Sequence, residues 1–509
     1  MTPKHVDVLV IGAGGSGLAA AVSCGEQGFE TLVLESCRQP GGTTGIAVGS
    51  FTAAETSHQQ VAGIVDSAKQ HAIDLARFAP DEIEQKNNPV SREFFSRHSA
   101  DTLDWLESHG LRFVGPVAEP PNKQPRMHNV IPGAKAYIAR LQLAARKQGV
   151  VIQTQATASK LLIEEGRVVG AEYRNHLGQT QQVLTHVGVI LATGDYANNQ
   201  ELIRRFKGGG YECIEGINPH AQGLGHILAE QAGAKLLNMD VTYGPELRFV
   251  ATAKRPFQQW LPATGPLAAI QSWLARRLPD WIFRKLIKRL LVTWQHPEAA
   301  LFHDGCILVN QQGLRFCDER SEKERNIGVS IQSDRQAYIL MSAVQIAQYS
   351  QWPHFISTAP DIAYAYVDDY LRLRPDICHQ AITLEQIATH YRLPLAQLQQ
   401  TAAGAFGQAT NGPWVMLGPV KSYFTTTEGG AKINEHFQVV NEEDDLIDGL
   451  FAVGQCGLNG MVLWSHGCHI AWAMTSGRLV GRALRTLADK TTDKKNAKCR
   501  TALRVKGHL

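Results

Sequence analysis

Residues 6–35 read VDVLVIGAGGSGLAAAVSCGEQGFETLVLE, and this stretch decides the fold. Residues 6–11 are apolar apart from Asp7 and have the length of a parallel strand that is covered on both faces. A G-x-G-x-x-G turn, a helix-forming stretch and a second apolar run follow, and that run ends in Glu35. This order predicts a βαβ unit that binds a dinucleotide, with the Glu35 carboxylate accepting hydrogen bonds from a ribose.

The residues of the turn have separate roles in this prediction. Gly12 permits the tight turn, and Gly14 lets the backbone approach a pyrophosphate. Gly17 lets the helix pack close to the strand. Gly15 and Ser16 begin the helix, whose N–H groups and dipole favour the negatively charged pyrophosphate.

The loop after Glu35 indicates which dinucleotide binds. It reads SCRQPGGTTGIAVGS over residues 36–50 and is rich in glycine and threonine. A nicotinamide enzyme has no need of such a loop, whereas an FAD enzyme uses its backbone and hydroxyl donors along the pyrophosphate and flavin. We therefore predict FAD as the cofactor. The predicted binding residues in this loop are Ser36, Gly41, Gly42, Thr43, Thr44 and Gly49.

Two later segments repeat the pattern of a buried strand followed by a turn of small residues. They read VGVILATGDYANN over residues 187–199 and DGLFAVGQCGLNG over residues 448–460. The second is followed by a helix-like stretch, SHGCHIAWAMTSGRLVGRAL. The turn residues predicted to contact the cofactor are Ala192, Thr193, Gly194, Gly454 and Gln455.

The motifs GAGGSG, GGTT, ATGD, ILVNQQGLRFCDE, TEGGAKIN and GLFAVGQ follow one another along the chain. In this order they resemble the flavoprotein family of fumarate reductase, succinate dehydrogenase, flavocytochrome c, urocanate reductase and the 3-ketosteroid dehydrogenases. The resemblance implies an α/β fold, with a Rossmann-like FAD-binding domain of the glutathione-reductase type and an inserted α+β substrate (capping) domain. The FAD-binding domain is then split into residues 1–240 and 415–509, and the capping domain covers residues 241–414.

Length and composition agree with this organisation. A chain of 509 residues is too long for a single core. Its net charge of +3 does not indicate nucleic-acid binding, and its 9 cysteines show neither C-x-x-C nor metal-ligand spacing. No apolar run is as long as a membrane-spanning helix, and the first strand starts too early to leave room for a signal peptide. We therefore expect a cytoplasmic protein without a metal site.

The resemblance implies further cofactor contacts. Ala158 lies where the family contacts adenine through its backbone. Cys468, His469 and Ile470 lie where the last helix of the family points its N-terminus at the flavin. Succinate dehydrogenase attaches its flavin through a histidine in the loop after the ribose-binding acid. The loop of residues 36–50 contains no histidine, so FAD is expected to bind non-covalently.

Lys323 is the first candidate for the proton donor or acceptor. In the dicarboxylate-reducing members of the family, an Arg shortly after the Glu of an NE or DE motif is the general acid. The ketosteroid Δ1-dehydrogenases carry a Tyr in the same place. In this chain the motif is Asp318-Glu319, and Lys323 occupies that place. The alternative is an ordinary surface lysine within the charged run DERSEKER.

The residues with which the family binds a dicarboxylate are missing. Residues 425–430 read TTTEGG in place of an HHTMGG-like motif, so both of its histidines are absent. Trp464 and Ser465 stand where the carboxylate-binding Arg of an HGANRLGG-like motif would fall. A guanidinium fork is the natural partner of a carboxylate, and the sequence offers no replacement. We therefore predict a pocket for an uncharged, apolar molecule.

Two further residues are candidates for acid–base chemistry. His466 lies at the turn before the last helix, where its ring can polarise a carbonyl or move a proton near neutral pH. Tyr423 lies in a segment that borders the flavin in the family. His466 and His469 also have a plainer alternative, in which they only pack or hydrogen-bond to the backbone.

Residues 266–295, PLAAIQSWLARRLPDWIFRKLIKRLLVTWQ, match no family motif. At helical spacing they place basic side chains on one face and apolar side chains on the other. A basic amphipathic helix with Trp at its edges is typical of a membrane interface. Most amphipathic helices, however, pack on a protein core. Peripheral membrane association and a packed helix of the capping domain are both open at this point.

Together these features predict an FAD-dependent oxidoreductase that moves a hydride between flavin and a carbon next to, or conjugated with, a carbonyl. The first hypothesis is a dehydrogenase or ene-reductase of a ketosteroid-like or other apolar enone, nearer the ketosteroid dehydrogenases than the dicarboxylate reductases. The second is a soluble reductase of a small unsaturated acid. The third is a peripheral membrane flavoprotein with a role in electron transfer or partner binding. The sequence does not specify the electron donor or acceptor.

Overall fold

The computed structural model describes residues 3–250, 261–265, 267, 292, 296–359, 363–407 and 412–506, with side chains up to residue 490. Apart from Leu267 and Val292, the amphipathic segment 266–295 lies outside the described residues. The hypothesis of membrane association through that segment therefore stays a prediction. Among the described helices, none combines the length and the apolar character needed to cross a membrane.

The structure alternates strands and helices along most of the chain. The strands are β1 (Lys4–Ile11), β2 (Thr31–Glu35), β3 (Ser50–Thr52), β4 (Phe113–Val117), β5 (Met127–Val130), β6 (Val151–Thr154), β7 (Thr157–Glu164), β8 (Arg167–Arg174), β9 (Thr180–Leu191), β10 (Glu215–Gly216), β11 (Leu236–Leu237), β12 (Thr242–Tyr243), β13 (Glu246–Phe249), β14 (Ile307–Val309), β15 (Ala337–Met341), β16 (Ser357–Ala359), β17 (Ala363–Ala365), β18 (Cys378–Ala381), β19 (Trp414–Phe424), β20 (Thr426–Thr427), β21 (Gly430–Ala431), β22 (Gln438–Val440) and β23 (Leu446–Ala452). The helices of the described residues are α1 (Gly15–Glu26), α2 (Gly42–Ile46), α3 (Ser57–Val61), α4 (Ala68–Leu75), α5 (Asp81–Glu84), α6 (Pro89–Ser108), α7 (Lys135–Lys147), α8 (Gln200–Lys207), α9 (Leu224–Gln231), α10 (Ala300–His303), α11 (Glu322–Ser330), α12 (Ala343–Gln348), α13 (Val367–Leu373), α14 (Leu384–Tyr391), α15 (Leu395–Phe406) and α16 (Cys468–Lys506), with a 3-10 turn at Gly454–Gly457.

The first sheet carries most of the residues predicted to bind the cofactor. Its strands run in the order β22-β23-β9-β1-β2-β6. β1 is parallel to β2 and β9, and the parallel pairing continues to β6 on one side and β23 on the other. The inner residues of β1 and all of β2 are buried, as a parallel sheet covered by helices requires. The predicted α/β, Rossmann-like fold is confirmed, and its sheet draws strands from both ends of the chain.

A second sheet is built around β19, which pairs with β10, β13, β15 and β18. Alternate residues of its strands enter two separate cores, so that Leu308 and Ile339 lie in one and Val309 and Leu340 in the other. The sequence analysis places residues from 415 onward in the FAD-binding part. In the structure β19 belongs to the second sheet, because it is paired along both edges there.

Two chain segments join the sheets as an antiparallel pair, which we call the connecting ribbon (residues 236–249 and 420–431). β13 pairs with β19, β12 with β20, and β11 with β21. Thr242 lies opposite Thr427 and Glu246 opposite Tyr423, so the register continues from β12 into β13. The ribbon therefore fixes the two segments against each other where one sheet gives way to the other.

Helices α1 and α16 cross at a very short distance beside the first sheet. A Cβ added to Gly477 would lie 2.5 Å from the Ser16 carbonyl oxygen and 2.7 Å from Ala19 Cβ. A Cβ added to Gly481 would lie 2.6 Å from the Ser23 carbonyl carbon. Ser23 Oγ also donates a hydrogen bond of 2.5 Å to the Arg478 carbonyl oxygen across the crossing. The glycines therefore set how closely the two helices approach.

We expect Gly477→Ala to destabilise the protein by about 1–3 kcal/mol, because the added methyl overpacks the crossing of α1 and α16. Gly404→Ala is the matched control, since Gly404 is an exposed residue of α15 with no atom within 4 Å of its added Cβ. That control should gain up to about 1 kcal/mol from helix propensity. Urea unfolding of both variants measures the difference, and equal stabilities would contradict the close crossing.

Candidate cofactor and active site

The turn between β1 and α1 has the geometry that its glycines predict. Gly12 has φ +107°, and a Cβ there would lie 2.4 Å from the Ala192 carbonyl oxygen. A Cβ on Gly17 would lie 1.9 Å from the Gly12 carbonyl oxygen, so α1 packs directly on the turn. At Gly14 the nearest atom to such a Cβ is 3.7 Å away. Packing within the protein therefore does not require glycine at 14, whereas a ligand in close contact with the backbone does.

The first turn of α1 is suited to bind an anion. Gly14 is its N-cap, no side chain caps the helix, and the first turn carries no acidic residue. Gly15 and Ser16 lie in the wall of a cleft, so the N–H groups of this turn face the cleft. A helix N-terminus in this state binds phosphate groups through its free N–H groups and its dipole.

Glu35 ends β2 with a side chain that is largely buried. Its Oε2 accepts a hydrogen bond of 2.8 Å from the Ala13 N–H, and its Oε1 accepts one of 2.8 Å from the Cys37 N–H. A carboxylate has further lone pairs on both oxygens, so Glu35 can also accept from ribose hydroxyls in the cleft. Glu35 thus ties the glycine turn to the loop that follows β2.

A continuous cleft of about 3960 Å³ runs past these groups. Pockets for one small ligand hold about 300–1,000 Å³, so this cleft has room for a dinucleotide and a substrate. The predicted cofactor residues in its wall are Gly12, Gly14, Gly15, Ser16, Glu35, Ser36, Gly41, Gly42, Thr43, Thr44, Gly49, Ala158, Ala192, Thr193, Gly194, Gln455, His469 and Ile470. The other three lie behind the wall and act through packing; they are Gly17, Gly454 and Cys468.

The order of these groups gives the direction in which the cofactor lies. Glu35 marks the adenosine end, and the turn at Gly15 marks the pyrophosphate. A Cβ on Gly15 would lie 2.9 Å from Met474 Cε, so this turn touches α16. α16 begins at Cys468, about 9 Å further along its axis. The flavin end of the cofactor therefore fits at the N-terminus of α16.

Two of the predicted acid–base residues are not in the cleft wall. Lys323 is exposed in the first turn of α11, whose buried face carries Arg325 and Asn326 instead. Tyr423 lies in β19, where burial and the Glu215 charge raise the pKa of its phenol. As the structure places them, neither side chain reaches a molecule in the cleft.

His466, the third predicted acid–base residue, lines the cleft. Its Nδ1 lies 2.6 Å from Oε1 of Glu119, which also accepts a hydrogen bond of 2.8 Å from the His466 backbone N–H. Ser465 Oγ donates a hydrogen bond of 2.8 Å to the other Glu119 oxygen. The hydrogen bond to Glu119 and its negative charge outweigh burial and raise the pKa of His466. The ring therefore keeps its proton to a higher pH than a free histidine does.

A second charged group lies on the connecting ribbon beside the same part of the cleft. Glu246 accepts hydrogen bonds from Arg248 and, at 2.9 Å, from Thr425 Oγ1, and His296 Nδ1 lies 3.8 Å from its second oxygen. Burial raises the pKa of Glu246, but the charges of Arg248 and His296 outweigh burial and leave it below its usual value. Burial lowers the pKa of His296. The negative charge of the Glu246 carboxylate is therefore compensated by the positive charge of the Arg248 guanidinium.

The apolar part of this region comes from Tyr243 and Trp464, whose ring centroids are 5.2 Å apart. The wall is consequently mixed, and Arg248 places in it a guanidinium that the sequence analysis did not find. The four charged residues that sequence reasoning missed are Glu119, Glu246, Arg248 and His296. Of these, only Glu246 and Arg248 could have been linked from the sequence, because they are two residues apart and alternate residues of a strand share a face.

The described part of the chain holds none of the side-chain clusters that bind metal ions. There, no group of three or more His, Cys, Asp and Glu side chains is arranged to hold a metal ion. The described cysteines are all free thiols, and burial raises the pKa of several of them, including Cys456 next to Thr193. The donor set of the cleft, with backbone N–H groups, hydroxyls and one ribose acceptor, instead fits a dinucleotide.

Comparison with known proteins gives the same cofactor. Residues 7–249 and 286–470 match the sequence model of the family described as FAD binding domain. The chain belongs to this family. FAD is therefore its cofactor, and the protein is an FAD-dependent oxidoreductase.

Individual relatives are distant. The chain is 24% identical over 502 residues to a probable fumarate reductase of Shewanella frigidimarina, covering 94% of this chain and 74% of that protein. It is 24% identical over 518 residues to the vinyl phenol reductase of Lactiplantibacillus plantarum, covering 94% and 96%. It is 23% identical over 475 residues to the NADH:fumarate oxidoreductase of Klebsiella pneumoniae, covering 90% of this chain but 45% of that protein.

Solved structures show that the fold is shared. The open conformation of a flavocytochrome c3 fumarate reductase has a TM-score of 0.70 at 21% identity, covering 95% of this chain and 79% of that one. The 3-ketosteroid Δ1-dehydrogenase of Sterolibacterium denitrificans has a TM-score of 0.63 at 16% identity, covering 95% and 100%. Proteins that act on a dicarboxylate and on a steroid therefore both have this fold, and fold alone does not select the substrate.

We expect Glu35→Ala to purify with depleted FAD. Loss of a charge-assisted hydrogen bond of about 1.5–3 kcal/mol corresponds to about a 10- to 100-fold weaker affinity. Titration of apoprotein with FAD measures the change. Glu30→Ala is the control, because Glu30 is exposed in the same βαβ unit and should bind FAD normally. Full occupancy in Glu35→Ala would place the ribose acceptor elsewhere.

We expect FAD to be released from the native protein by acid denaturation. The loop of residues 36–50, which lines the cleft, offers no histidine for covalent attachment. Trichloroacetic acid should therefore leave the yellow colour in the supernatant. Flavin that stays in the precipitate would show a covalent bond to another residue.

Proposed function

We propose that the protein reduces or oxidises a carbon–carbon bond conjugated with a carbonyl or phenol in an uncharged, planar molecule. The observation that carries this proposal is the pairing of charges around the flavin end of the cleft. The pairs are Arg248 and His296 with Glu246, His466 with Glu119, and His469 with Glu428. A substrate carboxylate would have to compete with a resident carboxylate for each of these basic side chains, and its desolvation would be poorly compensated.

The aromatic side chains favour the same class of substrate. Tyr243 and Trp464 lie next to each other in the cleft wall and present apolar ring surface. A flat enone or vinyl phenol gains by packing on such rings without needing a cation. The relative matched along 96% of its length is named for a vinyl phenol, which is an uncharged conjugated molecule.

The residues of the chain divide the chemistry in a simple way. When bound, FAD supplies hydride transfer to or from a substrate carbon. His466 is held by Glu119; as an imidazolium it donates a proton to the substrate in the reducing direction, and as a neutral imidazole it takes one in the other. Ser465 and the His466 N–H fix the Glu119 carboxylate, so the imidazole is oriented by two further hydrogen bonds.

One observation favours a second candidate, reduction of a small unsaturated acid. Arg248 lines the cleft and lies 3.4 Å from Thr425 Oγ1. Thr425 belongs to the segment 425–430, which stands in place of the carboxylate-binding HHTMGG-like motif of the family that the sequence resembles. For this function an incoming carboxylate would have to displace Glu246 from Arg248. A peripheral role at a membrane rests on residues 266–295 and gains no support from the described residues.

We expect reduced enzyme to be reoxidised by uncharged conjugated substrates and not measurably by fumarate. Stopped-flow recovery of the flavin absorbance, after anaerobic reduction, measures each rate with a steroid enone, 4-vinylphenol, acrylate and fumarate. Rapid recovery with fumarate would restore the unsaturated-acid function. Glu246→Gln tests that function directly, because it removes the negative charge beside Arg248 and should improve the rates with the acids alone if they bind there.

We expect His466→Gln to slow the reaction of reduced enzyme with substrate by about 10²- to 10⁴-fold, the usual contribution of a positioned acid. Activity that needs protonated His466 is lost as pH rises through its pKa, and Glu119 raises that pKa. Glu119→Gln should therefore move the alkaline limb of the pH–rate profile to lower pH. Glu164→Gln, an exposed change, is the control. An unmoved limb in Glu119→Gln would assign the proton to another group.

A further inference from the structure

Glu428 is a carboxylate in the protein interior, with a side chain that is 0% exposed. Its Oε1 lies 2.8 Å from His469 Nε2, and its Oε2 has no hydrogen-bond partner among the described residues. A buried carboxylate costs several kcal/mol unless a cation compensates its charge. His469 is the basic group in contact with it, and an imidazolium there would compensate the charge of a Glu428 carboxylate.

His469 lies at the surface of the cleft. It is the second residue of α16, lines the cleft and remains 22% exposed. The Tyr243 ring packs over it, with centroids 6.3 Å apart and 25° between the planes. The helix N-terminus adds its own partial positive charge at the same place. Asp195 also lines the cleft near His469, but burial raises its pKa and weakens it as a counter-charge.

The location of this charge relative to the cofactor follows from the helix crossing. The pyrophosphate site at Gly15 touches Met474, and α16 runs from there to its N-terminus at the flavin end of the cleft. His469 would therefore face the flavin of bound FAD, while Glu428 is not part of the cleft wall and lies behind His469.

We propose that the Glu428–His469 pair fixes a positive charge beside the flavin and thereby raises the affinity of bound FAD for electrons. His469 is the group that faces the flavin, and Glu428 is a positioning residue that holds its charge. The inference rests on FAD alone and not on the substrate proposed above.

The chemistry of reduction explains the effect. Two electrons and one proton at N5 convert oxidised flavin to its anionic reduced form, with the negative charge on the N1–C2=O edge. Addition of sulfite forms an N5–S bond and moves an electron pair of the ring onto the same edge. Both equilibria are therefore favoured by a cation at this end of the cleft, and both can be measured without a substrate.

The test compares holoprotein of the wild type with Glu428→Gln and His469→Gln. We expect sulfite to bind about tenfold more weakly to each variant, measured by bleaching of the flavin band. A factor of about ten corresponds to about 30 mV for a two-electron couple, so the midpoint potential should fall by that amount. The double variant should fall no further than either single one, because the two residues act as a unit.

Glu435→Gln is the matched control. Glu435 is an exposed carboxylate 3.8 Å from His436, so the substitution removes a similar pair from the surface and should leave both quantities unchanged. His469→Lys retains a cation and should keep sulfite affinity above that of His469→Gln. If Glu428→Gln does not fold, the comparison of His469→Lys with His469→Gln tests the proposal. All measurements are made with excess FAD present.

Wild-type potential and sulfite affinity in both glutamine variants would overturn the proposal, as would equal behaviour of His469→Lys and His469→Gln. A failure of the proposed substrate class would leave these two measurements unaffected. The two ideas can therefore be rejected separately.

Discussion

The close crossing of α1 and α16 is the constraint on which the site depends. Gly477 and Gly481 bring the helix backbones together, so the N-terminus of α1 and that of α16 are held at a fixed separation. One N-terminus is suited to the pyrophosphate and the other lies at the flavin end of the cleft. A larger side chain at the crossing would change the distance between these two anchoring points as well as the packing.

Charge pairing distinguishes this cleft from a generic dicarboxylate site. The cations at its flavin end each contact a carboxylate of the protein, so the region is polar in composition and nearly neutral in charge. Such a wall can orient a substrate by hydrogen bonds. Polarity of a pocket and the charge of its ligand are therefore separate questions in this fold.

The cofactor half of the site could be predicted from the sequence because its determinants are local. Gly12, Gly14 and Glu35 act within one βαβ unit, and backbone geometry at each one follows from neighbours in the chain. The substrate half could not, because its partners are distant in sequence. Glu119 and His466 are 347 residues apart in the chain, and Glu246 and Thr425 are 179 residues apart. Lys323 illustrates the limit of motif spacing, since the helical period of α11 leaves it on the exposed face.

The connecting ribbon holds the residues of these contacts close together. Its strands carry Glu246 and Thr425 toward the second sheet and Glu428 toward the first, with only a few residues between them. Any displacement of the second sheet relative to the first would therefore alter the substrate wall and the carboxylate behind His469 together. In this architecture the shape of the substrate chamber and the electrostatics at the cofactor depend on the same pair of strands.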